Sequence, residues 1–248
     1  MKFALLASGS AGNCCVVKHK DSSIVIDCGS TRKYLMECFG RIGYDPKSAN
    51  AILITHTHSD HVSQMKLFDE TPTYATQDIK TKNLNQVAAY DEFDIDEFHI
   101  TVLPMSHDCD GTVGYIIEAE GEKMVYVTDT GYVKDEVKQR IINADYYVFE
   151  SNHDIEMLMQ TNRPVYLKQR IIGDTGHLCN EDCANIICEA MGEKTKEIIL
   201  AHISREGNTR DMALQALERQ LHKRQKQQED LICYPAEQFG LYVGGNKK

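Results

Sequence analysis

Short apolar runs alternate with segments of helical spacing from residue 3 to residue 243. The apolar runs are bounded by glycine, proline, asparagine or charged residues, a pattern that predicts buried strands. The predicted strands comprise residues 3–6, 15–17, 23–27, 51–55, 72–75, 98–103, 113–119, 123–128, 146–149, 197–201, 232–234 and 241–243.

Helices are predicted between these strands, where apolar residues recur at every third or fourth position. One begins at a cap at Ser30 and carries Leu35, Cys38, Phe39 and Ile42 on one face. The others comprise residues 62–68, 76–87, 133–141, 180–191 and 209–227, whereas residues 164–172 are mixed. Because no shift in composition and no repeat interrupts this alternation, we predict one α/β domain that spans residues 1–248.

The predicted strand at residues 51–55 leads directly into a run of polar side chains. His56, His58, Asp60 and His61 place three histidines and a carboxylate within six residues. Imidazole and carboxylate at this density suit a divalent ion such as zinc, manganese or iron(II). Four ligands so close together favour sharing between two ions. The alternative, a polar loop that happens to be rich in histidine, gives no packing reason for this order of residues.

Three further candidates stand at the ends of other predicted strands. His107, Asp129 and His202 each follow an apolar run at the point where the chain turns. Each of them alone is typical of an ordinary loop residue. Together with the first run of ligands, they indicate a metal site.

Composition and charge narrow the class of protein. Hydrophobic residues make up 42% of the chain and charged residues 26%, as in ordinary globular proteins. No stretch approaches the roughly 18 apolar residues of a membrane span, and the first apolar run leads into a glycine turn rather than a cleavage site. We therefore expect a cytoplasmic protein with no membrane partner. The net charge of −10 argues against an extended nucleic-acid coat but not against a nucleic-acid enzyme.

The nine cysteines predict free thiols rather than disulfides. Their number is odd and their spacing irregular, which is typical of buried thiols in a reducing compartment. Cys179 and Cys183 lie one helical turn apart, as a metal-binding pair does, but no second pair completes a zinc site.

Two other segments each admit two interpretations. The turn at residues 8–13 contains Ser10, two glycines and Asn13, and it is either a phosphate-facing loop or a plain hairpin turn. The basic end of the helix at residues 209–227 is by default a solvated face rather than a DNA contact.

The order of these motifs resembles that of the metallo-β-lactamase superfamily of dinuclear hydrolases over nearly the whole chain. Closer still is the resemblance to the YycJ (WalJ) family of bacterial exonuclease-like proteins. It rests on four strings, ASGSAGN at residues 7–13, ESNHD at 150–154, GHL at 176–178 and HIS at 202–204. The sequence departs from that family's common residues at Ala11, Cys179 and Gly207, none of which is a predicted metal ligand.

The resemblance implies a four-layer αββα sandwich in which two mixed sheets are flanked by helices. It also implies two bound divalent ions, zinc or manganese with iron as a further option. Their ligands would be His56, His58 and His107 for one ion, Asp60, His61 and His202 for the other, and Asp129 as a bridge. Two ions about 3.5–4 Å apart need this many ligands together with a bridging water.

The remaining predicted site residues concern the substrate. Asp60 is expected to orient a metal-activated hydroxide, and His177 or His153 to protonate the leaving group. His177 resembles a phosphate-contacting histidine of RNA-processing relatives, and the helix predicted near residue 180 offers N–H dipoles beside it. For His153, a structural role is an equal alternative. The predicted phosphate or substrate contacts are Ser10, Asn13, Asn152, His177 and Ser204.

The resemblance implies a phosphodiesterase that acts on nucleic acid, with a DNA exonuclease as the main expectation. The alternative is a hydrolase of small esters, thioesters or lactones at the same metal site. An oxygen-reducing di-iron protein is disfavoured by His58, because those relatives typically have glutamate there. A non-catalytic binding module is disfavoured because all seven ligands are present. The sequence sets no oligomeric state.

Overall fold

Fourteen strands and seven α-helices make up residues 1–245, the part of the chain that the computed structural model describes. The strands are β1 (Lys2–Ala7), β2 (Cys14–His19), β3 (Ser22–Ile26), β4 (Ala51–Leu53), β5 (Thr73–Ala75), β6 (Leu84–Gln86), β7 (Glu92–Ile95), β8 (Phe98–Pro104), β9 (Val113–Ala119), β10 (Glu122–Val127), β11 (Tyr146–Glu150), β12 (Glu197–Ala201), β13 (Ile232–Pro235) and β14 (Tyr242–Gly245).

Seven α-helices and two 3₁₀ turns lie between the strands. They are α1 (Arg32–Arg41), α2 (Ser59–Val62), α3 (Asp135–Arg140), α4 (Ile155–Gln160), α5 (Val165–Ile172), α6 (Asn180–Ala190) and α7 (Arg210–Lys223), with 3₁₀ turns at Pro46–Ser48 and Met65–Phe68. Within residues 1–245, no helix has both the length and the apolar composition needed to cross a bilayer.

The strands form two seven-stranded sheets, and both are mixed. The first has the order β14-β1-β2-β3-β4-β5-β6 and the second the order β13-β12-β11-β10-β9-β8-β7. In the first sheet β14, β1, β2 and β3 pair antiparallel, whereas β3, β4, β5 and β6 pair parallel. In the second, β7, β8 and β9 pair antiparallel and β10 to β13 pair parallel. The predicted pair of mixed sheets with accompanying helices is confirmed.

The chain separates into two compact units. The first unit comprises residues 1–104, 109–122 and 237–245, and the second comprises residues 105–108 and 123–236. That residues 1–248 form a single domain stays a prediction.

In the first unit, α1 packs its apolar face against the first sheet. Leu35, Cys38 and Phe39 are fully buried and lie in one cluster with the alternate residues of β1 and β2 that face them. The predicted helix is confirmed, but its cap is Thr31 rather than Ser30, because Thr31 accepts a hydrogen bond from Tyr34 N. Ser30 instead adopts a left-handed conformation with φ +94°.

In the second unit, β10, β11 and β12 run parallel and are almost entirely buried. Tyr126 lies opposite Val148, and Val148 lies opposite Ile199, so the three strands end at the same edge. Asp129 lies just beyond β10, Glu150 ends β11 and His202 directly follows β12. This register therefore places these three residues side by side.

The helix predicted at residues 76–87 is wrong. Residues 84–86 form strand β6, which pairs parallel with β5, and residues 76–83 form an irregular connection. The N–H of Thr73 donates to Asn83 O and the N–H of Val87 donates to Ala75 O. The open edge of β5 therefore offers the backbone of this segment partners that outweigh its weak helical spacing. Strand β7 and helix α4 were not predicted.

All nine cysteines are free thiols, as predicted. Cys179 does not form a metal-binding pair with Cys183. Its sulfur accepts a hydrogen bond from the N–H of Asp182 and so caps the N-terminus of α6.

Gly29 allows three segments of the first unit to meet. Its N–H donates to Asn13 O at 2.8 Å, and Asn13 N donates to Asp60 O at 2.8 Å. A Cβ atom at Gly29 would lie 1.6 Å from Asp60 O, a distance that no local adjustment accommodates.

We predict that Gly29→Ala lowers the free energy of unfolding by about 3 kcal/mol or more, because backbone must move to admit the methyl group. Gly40→Ala is the matched control, since a Cβ there meets nothing within 4 Å and the site lies within α1. It should raise stability by about 0.5–1 kcal/mol. Urea denaturation of both variants tests this, and equal midpoints would contradict the packing argument.

Candidate metal-binding clusters

Four of the predicted ligands lie together in the first unit. Beyond β4, the buried residues Ile54 and Thr55 lead the chain to His56, and α2 then begins with His58 at its cap position. We call His56, His58, Asp60 and His61 the first cluster. His56 Nε2 lies 3.0 Å from His58 Nδ1, the rings of His56 and His61 are 4.0 Å apart, and His61 Nε2 lies 3.6 Å from Asp60 Oδ2.

His61 is held in one orientation by a buried carboxylate. Asp27 follows β3 directly, and its Oδ2 lies 2.8 Å from His61 Nδ1 and 2.9 Å from Thr55 Oγ1. Its Oδ1 accepts from the N–H of Thr55 at 2.9 Å. Burial raises the pKa of Asp27, and the contact with His61 opposes that rise. With Nδ1 bound to Asp27, His61 presents Nε2 as an acceptor, the arrangement that metal-ligating histidines use.

Asn13 stabilises the turn at residues 8–13, which the sequence predicts as either a phosphate-facing loop or a plain hairpin turn. It is fully buried, its Oδ1 accepts from the N–H of Gly9 at 2.8 Å, and its Nδ2 lies 2.9 Å from His61 Nε2. Asn13 therefore stabilises both the turn and the first cluster. Ser10 is exposed on the same turn. Contact of either residue with a phosphate stays a prediction.

The second unit brings together the other predicted ligands. Asp129 follows β10, His202 follows β12, and His107 lies three residues after β8. With Glu150 and His177 they form what we call the second cluster. His202 Nε2 lies 3.4 Å from Asp129 Oδ1, and the ring of His177 lies 5.2 Å from the rings of both His107 and His202.

Glu150 connects two histidines of the second cluster. This fully buried carboxylate ends β11, and its Oε1 lies 2.8 Å from both His202 Nδ1 and His177 Nδ1. Its Oε2 accepts from the N–H of Thr130 at 2.8 Å. Burial opposes ionisation, but the interactions with His177 and His202 outweigh it and lower the pKa of Glu150. The ionised carboxylate fixes both rings with their Nε2 atoms directed away from it.

His107 is held by backbone rather than by a carboxylate at its Nδ1. That atom lies 3.2 Å from Gly176 O, and Nε2 lies 3.1 Å from Asp108 Oδ1. Burial lowers the pKa of His107, which favours the neutral imidazole that binds metal ions.

The other predicted site residues lie around the second cluster without joining it. Asn152 Nδ2 donates to His202 O at 2.8 Å, and Ser204 N donates to Asn152 O, so this pair shapes the turn that carries His202. His153 is buried and its backbone bridges to Cys179. Its Nδ1 has no hydrogen-bond partner among residues 1–245, and burial lowers the pKa of His153 to about 4. A catalytic role for His153 stays a prediction.

Three of the site residues adopt a backbone conformation that is rare outside glycine. Asp27, Asp129 and His202 have φ values of +58°, +57° and +52°. Asp27 and His202 directly follow a parallel strand and Asp129 lies two residues beyond one, where the chain must turn sharply. Left-handed residues of this kind cost about 1 kcal/mol or more and cluster at functional sites.

The donor chemistry of both clusters fits divalent cations. Imidazole nitrogens and carboxylate oxygens converge in each, and three of the histidines are anchored through Nδ1 by buried carboxylates. In the second cluster, one atom from each of Asp129, Glu150, His177 and His202 lies within 4.8 Å of the others. Sequence reasoning missed Asp27 and the role of Glu150. Both are acids at the ends of buried apolar strands, which is the signal that could have found them.

Comparison with known proteins identifies the family. Residues 23–203 match the family described as the β-lactamase superfamily domain. The chain is 31% identical over 245 residues to the exodeoxyribonuclease YycJ of Bacillus anthracis, covering 90% of each protein. It is 33% identical to the exodeoxyribonuclease WalJ of Streptococcus pneumoniae, over 89% of this chain and 88% of that protein.

A solved structure shares the whole architecture. The metallo-β-lactamase fold protein YhfI from Bacillus subtilis matches with a TM-score of 0.73 at 18% identity, covering 97% of this chain and 98% of that one. At this identity the likeness establishes the fold, and the two bacterial relatives establish the family. The chain therefore belongs to the β-lactamase superfamily, as a metal-dependent hydrolase of the family that contains YycJ and WalJ.

Proposed function

We propose that this protein is a DNA exonuclease, a phosphodiesterase that depends on two divalent metal ions. The observation that carries the proposal is the double contact of Glu150 Oε1, at 2.8 Å from both His202 and His177. This single carboxylate orients His202, a predicted metal ligand, and His177, which is not in the predicted ligand set. A phosphodiesterase needs a metal site to activate water and, close to it, an acid to protonate the leaving oxygen.

The predicted ligands divide between the two clusters. We propose each of them as a ligand of a divalent ion: His56, His58, Asp60 and His61 in the first cluster, and His107, Asp129 and His202 in the second. When bound, two divalent ions supply positive charge that lowers the pKa of water and stabilises the phosphate oxygens of the transition state. Zinc, manganese and iron(II) all suit this donor set.

His177 is the residue we assign to protonation of the leaving oxygen. Its side chain is 19% exposed, so that substrate can reach it, whereas Glu150 behind it is fully buried. Glu150 Oε1 lies 2.8 Å from His177 Nδ1 and Asp129 Oδ1 lies 3.9 Å from it, so that both carboxylates orient the ring. Asp60, which is half-buried beside His61, is the residue we assign to orienting the attacking water.

The choice of DNA as the substrate rests on the relatives. Both bacterial relatives are named exodeoxyribonucleases, and each aligns over about nine-tenths of this chain. End-labelled single-stranded and duplex DNA, given to metal-stripped protein with Mn²⁺ or Zn²⁺, tests the proposal. A ladder of shortened products that depends on the added ion supports it and reveals the polarity. Turnover of a thioester or lactone without cleavage of DNA would contradict it.

We predict that Asp129→Asn lowers kcat on DNA by roughly 10²-fold or more, because the neutral amide is a poor metal ligand. Asparagine keeps the side-chain volume and tolerates the left-handed backbone at this position. The fold should therefore persist, as circular dichroism and thermal unfolding will check. Asp135→Asn is the control, since Asp135 is 85% exposed in α3. Normal activity of Asp129→Asn with normal metal content would overturn the ligand assignment.

We predict that His177→Ala lowers kcat on DNA by about 10²–10⁴-fold while metal content stays unchanged. The variant should lose far less activity on a diester with a p-nitrophenolate leaving group, because that group departs without a proton. His153→Ala serves as the comparison that decides between the two histidines. Loss of metal from His177→Ala, or an equal loss on both substrates, would assign His177 to metal binding or positioning instead.

A further inference from the structure

Helices α4 and α5 expose an unusual number of apolar side chains. We call residues 155–172, which comprise both helices and their connection, the α4–α5 arm. Tyr166 is 72% exposed, Val165 66% and Met159 53%, and Ile155 and Ile172 are also exposed. Large apolar side chains grouped on a surface mark a binding site more often than isolated ones do.

The arm is a fixed surface. Lys168 is 8% exposed, and its ammonium donates to Met159 O at 2.6 Å and to Thr161 O at 2.7 Å, which closes the end of α4. Asp154 caps the start of α4 through the N–H of Met157. The exposed side chains therefore project from a backbone that is ordered before any partner arrives, which limits the entropy lost on binding.

One edge of the arm carries two arginines and adjoins the second cluster. Arg163 and Arg170 line a small cavity of about 130 Å³ together with His107 and His177. Arg170 Nε donates to Asp108 Oδ2 at 2.6 Å, and Arg163 Nε donates to Glu206 at 3.0 Å. The cavity is smaller than the roughly 300 Å³ of an enclosed small-molecule site, which favours a chain-like ligand that touches it and continues along the surface.

A third arginine lies beside the arm. Arg205 is exposed in the loop after His202, and it has no ion-pair partner among the described residues 1–245. The hydrogen bond from Asp154 N to Gly207 O fixes this loop against the start of α4. Residues 155–172 themselves contain three basic side chains and one acidic one, in a chain of net charge −10. Because Arg163 and Arg170 are each paired with a carboxylate and Lys168 is buried, Arg205 is the arginine here whose charge is available to a phosphate.

We propose that the α4–α5 arm binds the unpaired end of a single-stranded nucleic acid and leads it to His177, an inference that rests on the proposed function. Tyr166 offers a ring on which a base can stack, and the arginines meet the phosphates on either side. Duplex DNA covers the faces of all its internal bases, so that an unpaired strand offers many more faces to the exposed ring. A second copy of the chain is the competing occupant, and the test below separates the two.

The experiment measures binding rather than turnover. A fluorescein-labelled 12-nucleotide oligodeoxythymidine is titrated with the full-length protein in the presence of chelator, and anisotropy gives Kd. Tyr166→Ala should raise Kd about tenfold, the size expected when one base loses its stacking partner, whereas Tyr166→Phe should retain wild-type affinity. Ile232→Ala is the control, because Ile232 is 41% exposed at the start of β13, the end of the sheet away from His202.

Salt dependence tests the contribution of the arginines. Arg205→Ala should reduce the slope of log Kd against log salt by about 0.7, the value for one phosphate of a single strand. Arg219→Ala in the basic end of α7, where Arg219 is 65% exposed, should leave the slope unchanged.

Several results would overturn the proposal. Absence of oligonucleotide binding by the wild-type protein, or equal Kd values for Tyr166→Ala and Ile232→Ala, contradicts it. A dimer in solution that Tyr166→Ala converts to a monomer assigns the arm to self-association instead. These results are independent of the catalytic assay. Cleavage of DNA with an unchanged Kd for Tyr166→Ala rejects the arm alone, and tight binding without cleavage rejects the exonuclease alone.

Discussion

Buried carboxylates at the ends of parallel strands are the constraint on which the rest of this structure depends. Asp27 and Glu150 are both fully buried, and each holds the Nδ1 of a histidine at 2.8 Å. A charge in the interior is costly unless it is paired, so each carboxylate requires its histidine and each histidine is fixed in turn. The parallel register of β3 with β4 places Asp27 beside Thr55, and that of β11 with β12 places Glu150 beside His202.

Unfavourable backbone conformations occur at the same strand ends. Asp27, Asp129 and His202 all have positive φ, and Gly29 admits a backbone carbonyl where a side chain would stand. Such conformations persist only where surrounding hydrogen bonds determine them, as they do around Thr55 and Thr130. Asp129 and His202, two of the predicted ligands, are therefore held just beyond the ends of buried strands, and a catalytic metal site needs ligands held in this way.

Much of this could be predicted from the sequence, because the informative signals are local. The apolar run before His56 and the close spacing of His58, Asp60 and His61 need no knowledge of the fold. Asp27 and Glu150 were missed since their partners lie 34 and 52 residues away in the chain and meet them only through sheet pairing. The segment at residues 76–87 was mistaken for a helix for the same reason, because the edge of β5 decides its conformation.

The most direct test of the central claim is a count of the metal ions that the chain binds. Metal-stripped protein titrated with Mn²⁺ and followed by electron paramagnetic resonance reports both the number of ions and whether they interact. We predict two ions per chain and a spin-coupled spectrum, because the proposed phosphodiesterase depends on two ions that act together. One ion per chain, or two that give independent signals, would contradict it.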